Sequence, residues 1–247
     1  MMDPRISIIP ERIKDVKRRI AIVSGKGGVG KTVLASLLAL GLSSMGKIVG
    51  LLDLDFNGPS CHIVLGIPED TSIEEEKGII PPLFNGIRFM SLELFVKERA
   101  LPLRGDDISN AIIELLAITR WGSLDYLIID TPPGTSDELL DILRLIDGLE
   151  TLIVTIPSKL ALKTVSRLLN LLKMVNTNII GIIENMSKGT DMVREFARRE
   201  GIRYLGSIPY DEKLEEALGD VDALKRTSIS ESITTILHKI IGLKITR

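Results

Sequence analysis

The chain has 247 residues, of which 45% are hydrophobic, so it can bury the core of one large α/β domain or two small ones. Its 31 basic and 33 acidic residues give a formal net charge of −2, which does not favour non-specific nucleic-acid binding. The single cysteine, Cys61, excludes an internal disulfide and a Cys-rich metal site within one chain. No apolar run reaches transmembrane length, and Asp3, Pro4 and Arg5 are unlike a signal-peptide core, so we expect a cytoplasmic protein that binds no membrane.

A charged lead-in at residues 1–18 precedes the predicted domain, which spans residues 19–247. Ile13, Val16 and Lys17 of the lead-in could lie on a short helix. The domain begins with an apolar strand at 19–24, and a helix rich in Leu and Ala follows at 31–45. Between the two lies a run with the spacing G-x-x-x-x-G-K-T: Gly25-Lys26-Gly27-Gly28-Val29-Gly30-Lys31-Thr32.

This order of strand, loop and helix is the context that a phosphate-binding loop requires. Glycine lets the backbone wrap closely, and successive N–H groups then converge on phosphate oxygens at the positive end of the following helix. We expect Lys31 to neutralise the β- and γ-phosphates and the Thr32 hydroxyl to bind Mg²⁺. A glycine-rich turn without a ligand is the alternative, which the complete motif disfavours.

A pair of carboxylates, Asp53 and Asp55, follows a near-continuous apolar strand at 47–52. Parallel sheets place ligands at the carboxyl ends of their strands, so this position favours a role in handling Mg²⁺ and water. The segment continues as Phe56-Asn57-Gly58-Pro59-Ser60, and a plain Asp-rich turn is the alternative interpretation.

The next stretch, residues 61–85, has the composition of irregular structure, with a solvated acidic run at 74–76 and a loop at 79–82. A strand is predicted at 86–92 and a helix at 109–119. Arg104-Gly105 before that helix either faces the nucleotide or a partner, or belongs to an ordinary loop.

A third motif begins at Asp130, after an apolar strand at 124–129. Apolar residues followed by an acidic residue form a Walker B pattern, in which the carboxylate holds the Mg²⁺ shell. The sequence then reads Thr131-Pro132-Pro133-Gly134-Thr135, and Gly134 is placed like a switch loop that senses the γ-phosphate.

The rest of the chain alternates strands with helices. Strands are predicted at 150–156, 178–183 and 203–206, and helices at 135–146, 158–174, 188–200, 211–218 and 229–241. The helix at 158–174 has an apolar stripe of Leu160, Val165, Leu168, Leu169 and Leu172, and the last helix is expected to pack against the sheet. With no repeat and no low-complexity linker, the architecture is a single doubly wound, mostly parallel α/β domain with helices on both faces.

Lys26 and several other positions together resemble a known family. A lysine directly after the first loop glycine resembles the signature of the deviant Walker A class, which includes MinD, ParA, the nitrogenase iron protein and Mrp. The closer resemblance is to the Mrp (ApbC) family of P-loop ATPases, described as iron–sulfur cluster carriers, and it runs from about Lys17 to the last helix. It is carried by Asp53-x-Asp55-x-x-Gly58-Pro59-Ser60, Trp121-Gly122-x-Leu124-Asp125-Tyr126-Leu127-Ile128-Ile129-Asp130, Pro132-Pro133-Gly134-Thr135 and Glu184-Asn185-Met186-Ser187.

This resemblance implies an ATP- and Mg²⁺-dependent ATPase that forms a homodimer, with the nucleotide near the dimer interface. Lys26 would reach across to the partner's nucleotide, and Lys26, Lys31 and Asp55 would serve catalysis, with Asp55 orienting the attacking water. The implied nucleotide contacts are Gly25, Lys26, Gly27, Gly28, Val29, Gly30, Lys31, Thr32 and Val33.

The resemblance also implies a metal site and a base pocket. Thr32 would ligate Mg²⁺, while Asp53 and Asp130 would hold the waters of the ion. Asn185 would hydrogen-bond adenine, and residues from Pro209 to Asp211 would line the base pocket.

The chain departs from the family after Asn185-Met186-Ser187. Mrp proteins typically have a Cys-x-x-Cys insert there, and two subunits supply its thiolates to one bridging cluster. Here Lys188 follows directly and the two cysteines are missing, whereas a cluster usually needs four thiolates. Cys61 lies outside this position, and we expect it to be a half-buried, small apolar side chain.

Two alternatives to the cluster-carrying ATPase remain open. One is a nucleotide-gated regulatory subunit or partner of a cysteine-bearing paralogue or iron–sulfur client protein. The other is a positioning ATPase like MinD or ParA, against which the acidic balance of charge counts. A dehydrogenase is disfavoured because the loop is not G-x-G-x-x-G, and no acceptor-binding motif supports a small-substrate kinase.

Overall fold

The computed structural model describes residues 3–68, 71–96 and 106–242. After a 3₁₀ turn at Ile6–Ile8, the helices are α1 (Ile9–Ile13), α2 (Lys31–Ser44), α3 (Cys61–Leu65), α4 (Glu93–Val96), α5 (Asp106–Ile118), α6 (Asp137–Leu145), α7 (Lys159–Met174), α8 (Met192–Glu200), α9 (Leu214–Ala217), α10 (Val221–Lys225) and α11 (Ser228–Ile241). The strands are β1 (Val16–Ser24), β2 (Val49–Asp53), β3 (Glu74–Glu75), β4 (Ile79–Ile80), β5 (Leu83–Phe84), β6 (Ile87–Ser91), β7 (Leu124–Asp130), β8 (Leu149–Thr155), β9 (Asn178–Ser187) and β10 (Tyr204–Pro209).

An eight-stranded sheet forms the centre of the fold, in the order β10-β9-β8-β1-β7-β2-β6-β5. Its strand pairs are parallel except for the terminal β5–β6 pair, which is antiparallel. Strands β2 and β8 are buried along their whole length, as expected of parallel strands covered on both faces. The predicted doubly wound, mostly parallel α/β fold is confirmed.

The carboxyl ends of the central strands meet at one edge of this sheet, and their register fixes which side chains meet there. Asp53 at the end of β2 pairs with Asp130 at the end of β7. Ile22 of β1 pairs with the same Asp130, so the loop that leaves β1 begins beside this carboxylate. The fold therefore brings the three predicted motifs together.

Helices α2 and α11 cover one region of the sheet. The α2 helix is buried over most of its length, and α11 packs against both α2 and β10. The expected packing of the last helix against the sheet is confirmed, since its apolar stripe is at most 3% exposed at Ile229, Ile233, Ile236, Leu237 and Ile240. In α7 the predicted stripe is buried except for Leu160, which is 65% exposed, so its assignment to the core was wrong.

The amino-terminal segment contributes to the same core. Ile9 and Ile13 of α1 are buried, and α1 packs against α5. Val16 and Lys17 lie in β1 and not on the predicted helix, because pairing with β7 begins at Val16, opposite Leu124.

Other element boundaries differ from the predictions where tertiary pairing decides them. Residues 61–85, expected to be irregular, contain α3, the antiparallel pair β3–β4 and strand β5, so the loop predicted at 79–82 includes a strand. Strand β9 continues four residues past its predicted end, because Ser207 and Pro209 of β10 pair with Glu184 and Ser187. The predicted helices at 188–200 and 211–218 begin later, at Met192 and Leu214.

Among the described residues, no helix combines the length and the apolar character that crossing a membrane requires.

Candidate phosphate-binding site

The loop at residues 25–30 joins β1 to α2 at the carboxyl edge of the sheet. Gly30 is the N-cap of α2 and has a φ of 81°, in the left-handed region that favours glycine. A Cβ at Gly25 would lie 2.6 Å from the backbone carbonyl carbon of Thr164 in α7, so glycine is required there by close packing. The loop thus presents the N-terminus of a 14-residue helix, a favourable place for an anion.

Lys31 and Thr32, the first residues of α2, both contact Asp130. The Lys31 Nζ lies 2.5 Å from the Asp130 Oδ1, and the Thr32 Oγ1 donates to the Asp130 Oδ2 at 2.6 Å. The Lys31 Nζ is also 3.8 Å from the Asp55 Oδ2. The structure therefore brings together the loop lysine, the loop threonine and two of the predicted carboxylates.

Asp53 is fully buried under the turn that follows it. Its carboxylate accepts backbone N–H bonds from Asp55 at 3.1 Å and from Ser60 and Cys61 at 3.0 Å each. Burial, followed by the repulsion of the neighbouring Asp130, raises the pKa of Asp53 to about 7. Burial also raises the pKa of Asp55. The Asp-rich segment is thus a turn held together by Asp53, and it also supplies two of the carboxylates at the site.

Cys61 belongs to this site, which its sequence position did not reveal. Its thiol is fully buried, not half-buried as expected, and its Sγ lies 3.9 Å from the Asp130 Oδ2. Ligand atoms of Asp53, Cys61 and Asp130 all lie within 4.8 Å of one another. Burial, with the two carboxylates next in effect, raises the pKa of Cys61 well above its usual value, so the thiol is neutral at pH 7. The signal that could have located it is its position directly after the turn that follows Asp53, because the N–H groups of Ser60 and Cys61 both bond the Asp53 carboxylate.

Asn185 reaches the loop from the end of β9. Its Nδ2 donates to the carbonyl oxygen of Val29 at 2.8 Å, and the side chain is 7% exposed. The same strand end is fixed by buried Glu184, which accepts hydrogen bonds from the Ser187 hydroxyl at 2.7 Å and the Tyr204 hydroxyl at 3.0 Å. The contact seen for Asn185 therefore supports the shape of the loop.

The switch-like segment after β7 is tied to β1. The backbone N–H of Gly134 donates to the carbonyl oxygen of Ser24 at 2.9 Å, and the Thr131 hydroxyl donates to that of Ile22 at 2.7 Å. These bonds hold the segment beside the base of the loop.

Three predicted positions lie further from this cluster or have other partners. Pro209 is exposed at the end of β10, where it pairs with Ser187. The Asp211 carboxylate accepts hydrogen bonds from the Ser228 hydroxyl and N–H at 2.7 and 3.2 Å, and the hydroxyl bond lowers its pKa. Lys26 is partly exposed and forms no ion pair within the described parts of the chain. Arg104-Gly105, suggested to face the nucleotide or a partner, lies outside the described residues.

Comparison with known proteins places this geometry in a family. Residues 15–242 match the family model described as "ParA: NUBPL iron-transfer P-loop NTPase". An iron-sulfur cluster carrier protein of Saccharolobus solfataricus is 38% identical over 223 residues, which cover 83% of this chain and 75% of that protein. The cytosolic Fe-S cluster assembly factor CFD1 of Kluyveromyces lactis is 37% identical over 95% of this chain and 89% of its own length.

Among solved structures, a nucleotide-binding protein from Archaeoglobus fulgidus in complex with ADP is similar to this chain. The two are 32% identical with a TM-score of 0.76, and the match covers 90% of this chain and 93% of that one. These similarities confirm the expected resemblance to iron–sulfur cluster carrier proteins. The chain belongs to the ParA/NUBPL family of iron-transfer P-loop NTPases.

Proposed function

We propose that this chain binds Mg-ATP at the 25–32 loop, hydrolyses it to ADP and phosphate as a homodimer, and serves iron–sulfur cluster assembly in the cytosol. The observation that carries the proposal is the convergence of Lys31, Thr32, Asp55 and Asp130 at the N-terminus of α2. The family supports nucleotide binding, and the relative from K. lactis is named a cytosolic assembly factor.

The donor set fits a hard divalent cation. The carboxylates of Asp55 and Asp130 lie against the single ammonium of Lys31, and Asp53 lies beside Asp130, so the carboxylates outnumber the ammonium at this site. Hydroxyl and carboxylate oxygens are ligands that Mg²⁺ prefers. In this proposal Thr32 ligates the ion, and Asp53 and Asp130 hold its waters. When bound, the ion neutralises charge that develops on the phosphate oxygens.

The chain's own residues then position the reaction. The loop N–H groups from Gly25 to Val33 cradle the phosphates, and Lys31 exchanges its contact with Asp130 for phosphate oxygens. Asp55 orients the water that attacks the γ-phosphate, and Lys26 reaches the nucleotide of the partner subunit. Catalysis in this scheme comes from alignment and charge neutralisation, without a covalent intermediate.

The base end of the nucleotide is assigned by position. Asn185 can keep its bond to Val29 and still offer its second N–H and its Oδ1 to adenine, because an amide side chain has two donors and one acceptor oxygen. Pro209 and Asp211 follow the neighbouring strand and line the base pocket in this proposal.

Measurement of Mg²⁺-dependent phosphate release, with nucleotide affinity measured separately, tests these roles. We expect Lys31→Ala to lose nucleotide affinity. Asp55→Asn should keep affinity and lose about 10²-fold or more in turnover, because only the orientation of water is affected. Lys47→Ala, at the opposite edge of the sheet, is the matched control. Full turnover by Asp55→Asn would contradict its role, and absence of Mg²⁺-dependent hydrolysis in the parent chain would contradict the proposed activity.

The cysteine content favours a second candidate for the cluster-related role. A homodimer contains two cysteines in total, and each Cys61 is fully buried beside Asp53 and Asp130. An iron–sulfur cluster usually takes four thiolates, so this homodimer lacks the usual set. The cluster is therefore cargo whose thiolates come from another protein: a cysteine-bearing paralogue in a mixed dimer, or an iron–sulfur client.

Co-expression with a cysteine-bearing paralogue tests this candidate. We expect a nucleotide-dependent mixed dimer that retains iron after desalting, whereas the homodimer retains none. If the two chains stay separate with ATP and the paralogue alone keeps the cluster, the mixed-dimer form is excluded. Co-sedimentation with liposomes or DNA in the presence of ATP would instead favour a MinD- or ParA-like positioning role.

A further inference from the structure

A groove of about 860 Å³ lies between α7 and α8, and none of its lining residues is among those proposed to contact the nucleotide. The residues lining it on α7 fall at the spacing i, i+3, i+4, i+7, which is one face of a helix, from Lys159 to Ser166. The same spacing recurs on α8 from Met192 to Arg199. Each helix thus offers about two turns, or about 10 Å, of continuous wall.

The floor of this groove is apolar. Leu162 and Phe196 are buried beneath it, and Met192 is partly exposed in its wall. An apolar floor between two helices is the shape into which an amphipathic helix lays its apolar face.

The rims of the groove are basic. Lys159 and Lys163 lie one turn apart on α7, and Arg198 lies on α8; all three are exposed. Within the described ranges, none of these three cations is in an ion pair. Arg199 also lines the groove, where it stacks over Phe196 and pairs with Glu200.

The charge of the groove is opposite to that of the chain as a whole. It is lined by four cations against one carboxylate, Glu195, whereas the chain has a formal net charge of −2. Unpaired cations at the rim of an apolar floor attract a partner with carboxylates flanking an apolar stripe.

We propose that this groove is the docking site for an acidic amphipathic helix of a partner protein. The apolar stripe of that helix would lie on the partly exposed Met192 and on the small part of Leu162 that remains accessible. Its carboxylates would face Lys159, Lys163 and Arg198. A flat lipid surface would touch the rims without reaching the recessed floor. A nucleic acid would meet the cations and leave the floor uncovered, so an acidic peptide fits both features.

The test uses the full chain and a labelled designed helix of about 18 residues, with a leucine stripe flanked by glutamates. A control peptide has the same sequence with glutamine in place of each glutamate. Fluorescence anisotropy is measured at about 50 and about 300 mM salt, because rim charges are screened within a few ångströms at the higher value. Anionic vesicles of phosphatidylglycerol and a DNA duplex are tested in parallel.

The variants separate this groove from general surface charge. Lys163→Glu combined with Arg198→Glu should weaken the acidic helix about tenfold or more, since two attractive contacts become repulsive. Arg167→Glu combined with Lys173→Glu changes two exposed cations on α7 that do not line the groove; it makes the same change in charge, so it is the matched control and should leave affinity unchanged. Thermal unfolding verifies that each variant is folded.

The proposal is supported if the acidic helix binds, the glutamine helix binds more weakly, and the double variant and added salt both reduce binding. Equal binding of the two helices, unchanged binding by the double variant, or no binding of the acidic helix would overturn it. If vesicles or DNA bind, and this binding depends on Lys163 and Arg198, the proposal is also overturned, and the groove is instead a membrane-binding or DNA-binding site. The groove residues are not part of the nucleotide site, so this outcome is independent of ATP hydrolysis.

Discussion

The contact between Gly25 and helix α7 makes a sharp prediction about the phosphate-binding loop. In Gly25→Ala, the new Cβ would lie 2.6 Å from the Thr164 carbonyl carbon and 2.7 Å from the Val165 nitrogen. The Thr164 Oγ1 would also lie 2.7 Å away and could rotate, but ordinary contact begins near 3.4 Å and the other two atoms are backbone, so the loop or the helix must shift by about 0.8 Å.

A shift of this size is large for a site whose proposed catalysis depends on aligning the attacking water with the phosphate. Misplacement of reacting groups by about 1 Å can lower a rate about 10²-fold, which is about 2.7 kcal/mol of transition-state stabilisation. We therefore expect Gly25→Ala to lose about 10²-fold in kcat/KM for Mg-ATP, measured by phosphate release, with a smaller loss of nucleotide affinity.

The matched control is Gly58→Ala, in the turn after β2. A Cβ at Gly58 has no atom within 4 Å, and its φ lies outside the left-handed range, so alanine fits there. Thermal unfolding curves should show that both variants are folded at the temperature of the assay. If Gly25→Ala hydrolyses ATP at the parent rate, the loop does not depend on its packing against α7 and the reasoning from this contact is refuted.

Three further predictions concern stability and the loop brace. Glu150→Ala leaves Arg18 buried without its two-bond partner and should lower the free energy of unfolding by about 3–5 kcal/mol, measured by urea denaturation; an unchanged midpoint would contradict this. Asn185→Ala removes the donor to Val29 and should weaken nucleotide binding about tenfold, measured by titration calorimetry; parent-like affinity would show that the brace is dispensable. A hydrogen bond from Lys17 lowers the pKa of Asp125 in the folded state. The stabilisation that Asp125 contributes is therefore present above its unfolded pKa and is lost as the pH falls through its lower folded pKa. Asp125→Asn should flatten this acid limb below about pH 4 in thermal melts, and an identical limb would contradict the assignment.

The sequence was sufficient to predict the fold and to predict that Lys31, Thr32, Asp53 and Asp130 meet at the carboxyl edge of the sheet, while their roles stay a prediction. Apolar strands ending in Asp53 and Asp130 predict a parallel sheet, and such a sheet brings the carboxyl ends of its strands to one edge. The contacts of Lys31 and Thr32 with Asp130 follow from that topology.

Other features depend on contacts that local patterns do not encode. The polar end of β9 is a strand only because β10 pairs with it, which a search for apolar runs misses. Cys61 is buried against two carboxylates because the turn after β2 folds back over Asp53. Asp211, expected near the base, bonds Ser228 at the start of α11, a contact 17 residues away along the chain.

The central claim is that this chain supplies the ATPase activity while another protein supplies the thiolates of the cluster. Anaerobic reconstitution with iron and sulfide tests this claim most directly. The purified homodimer is desalted, and its visible absorption, iron per dimer and Mg-ATP binding are measured on the same sample. We predict intact Mg-ATP binding with no retained cluster, because each Cys61 is fully buried within the carboxylate site. A stable cluster on the homodimer would contradict the account and would assign cluster ligation to this chain itself.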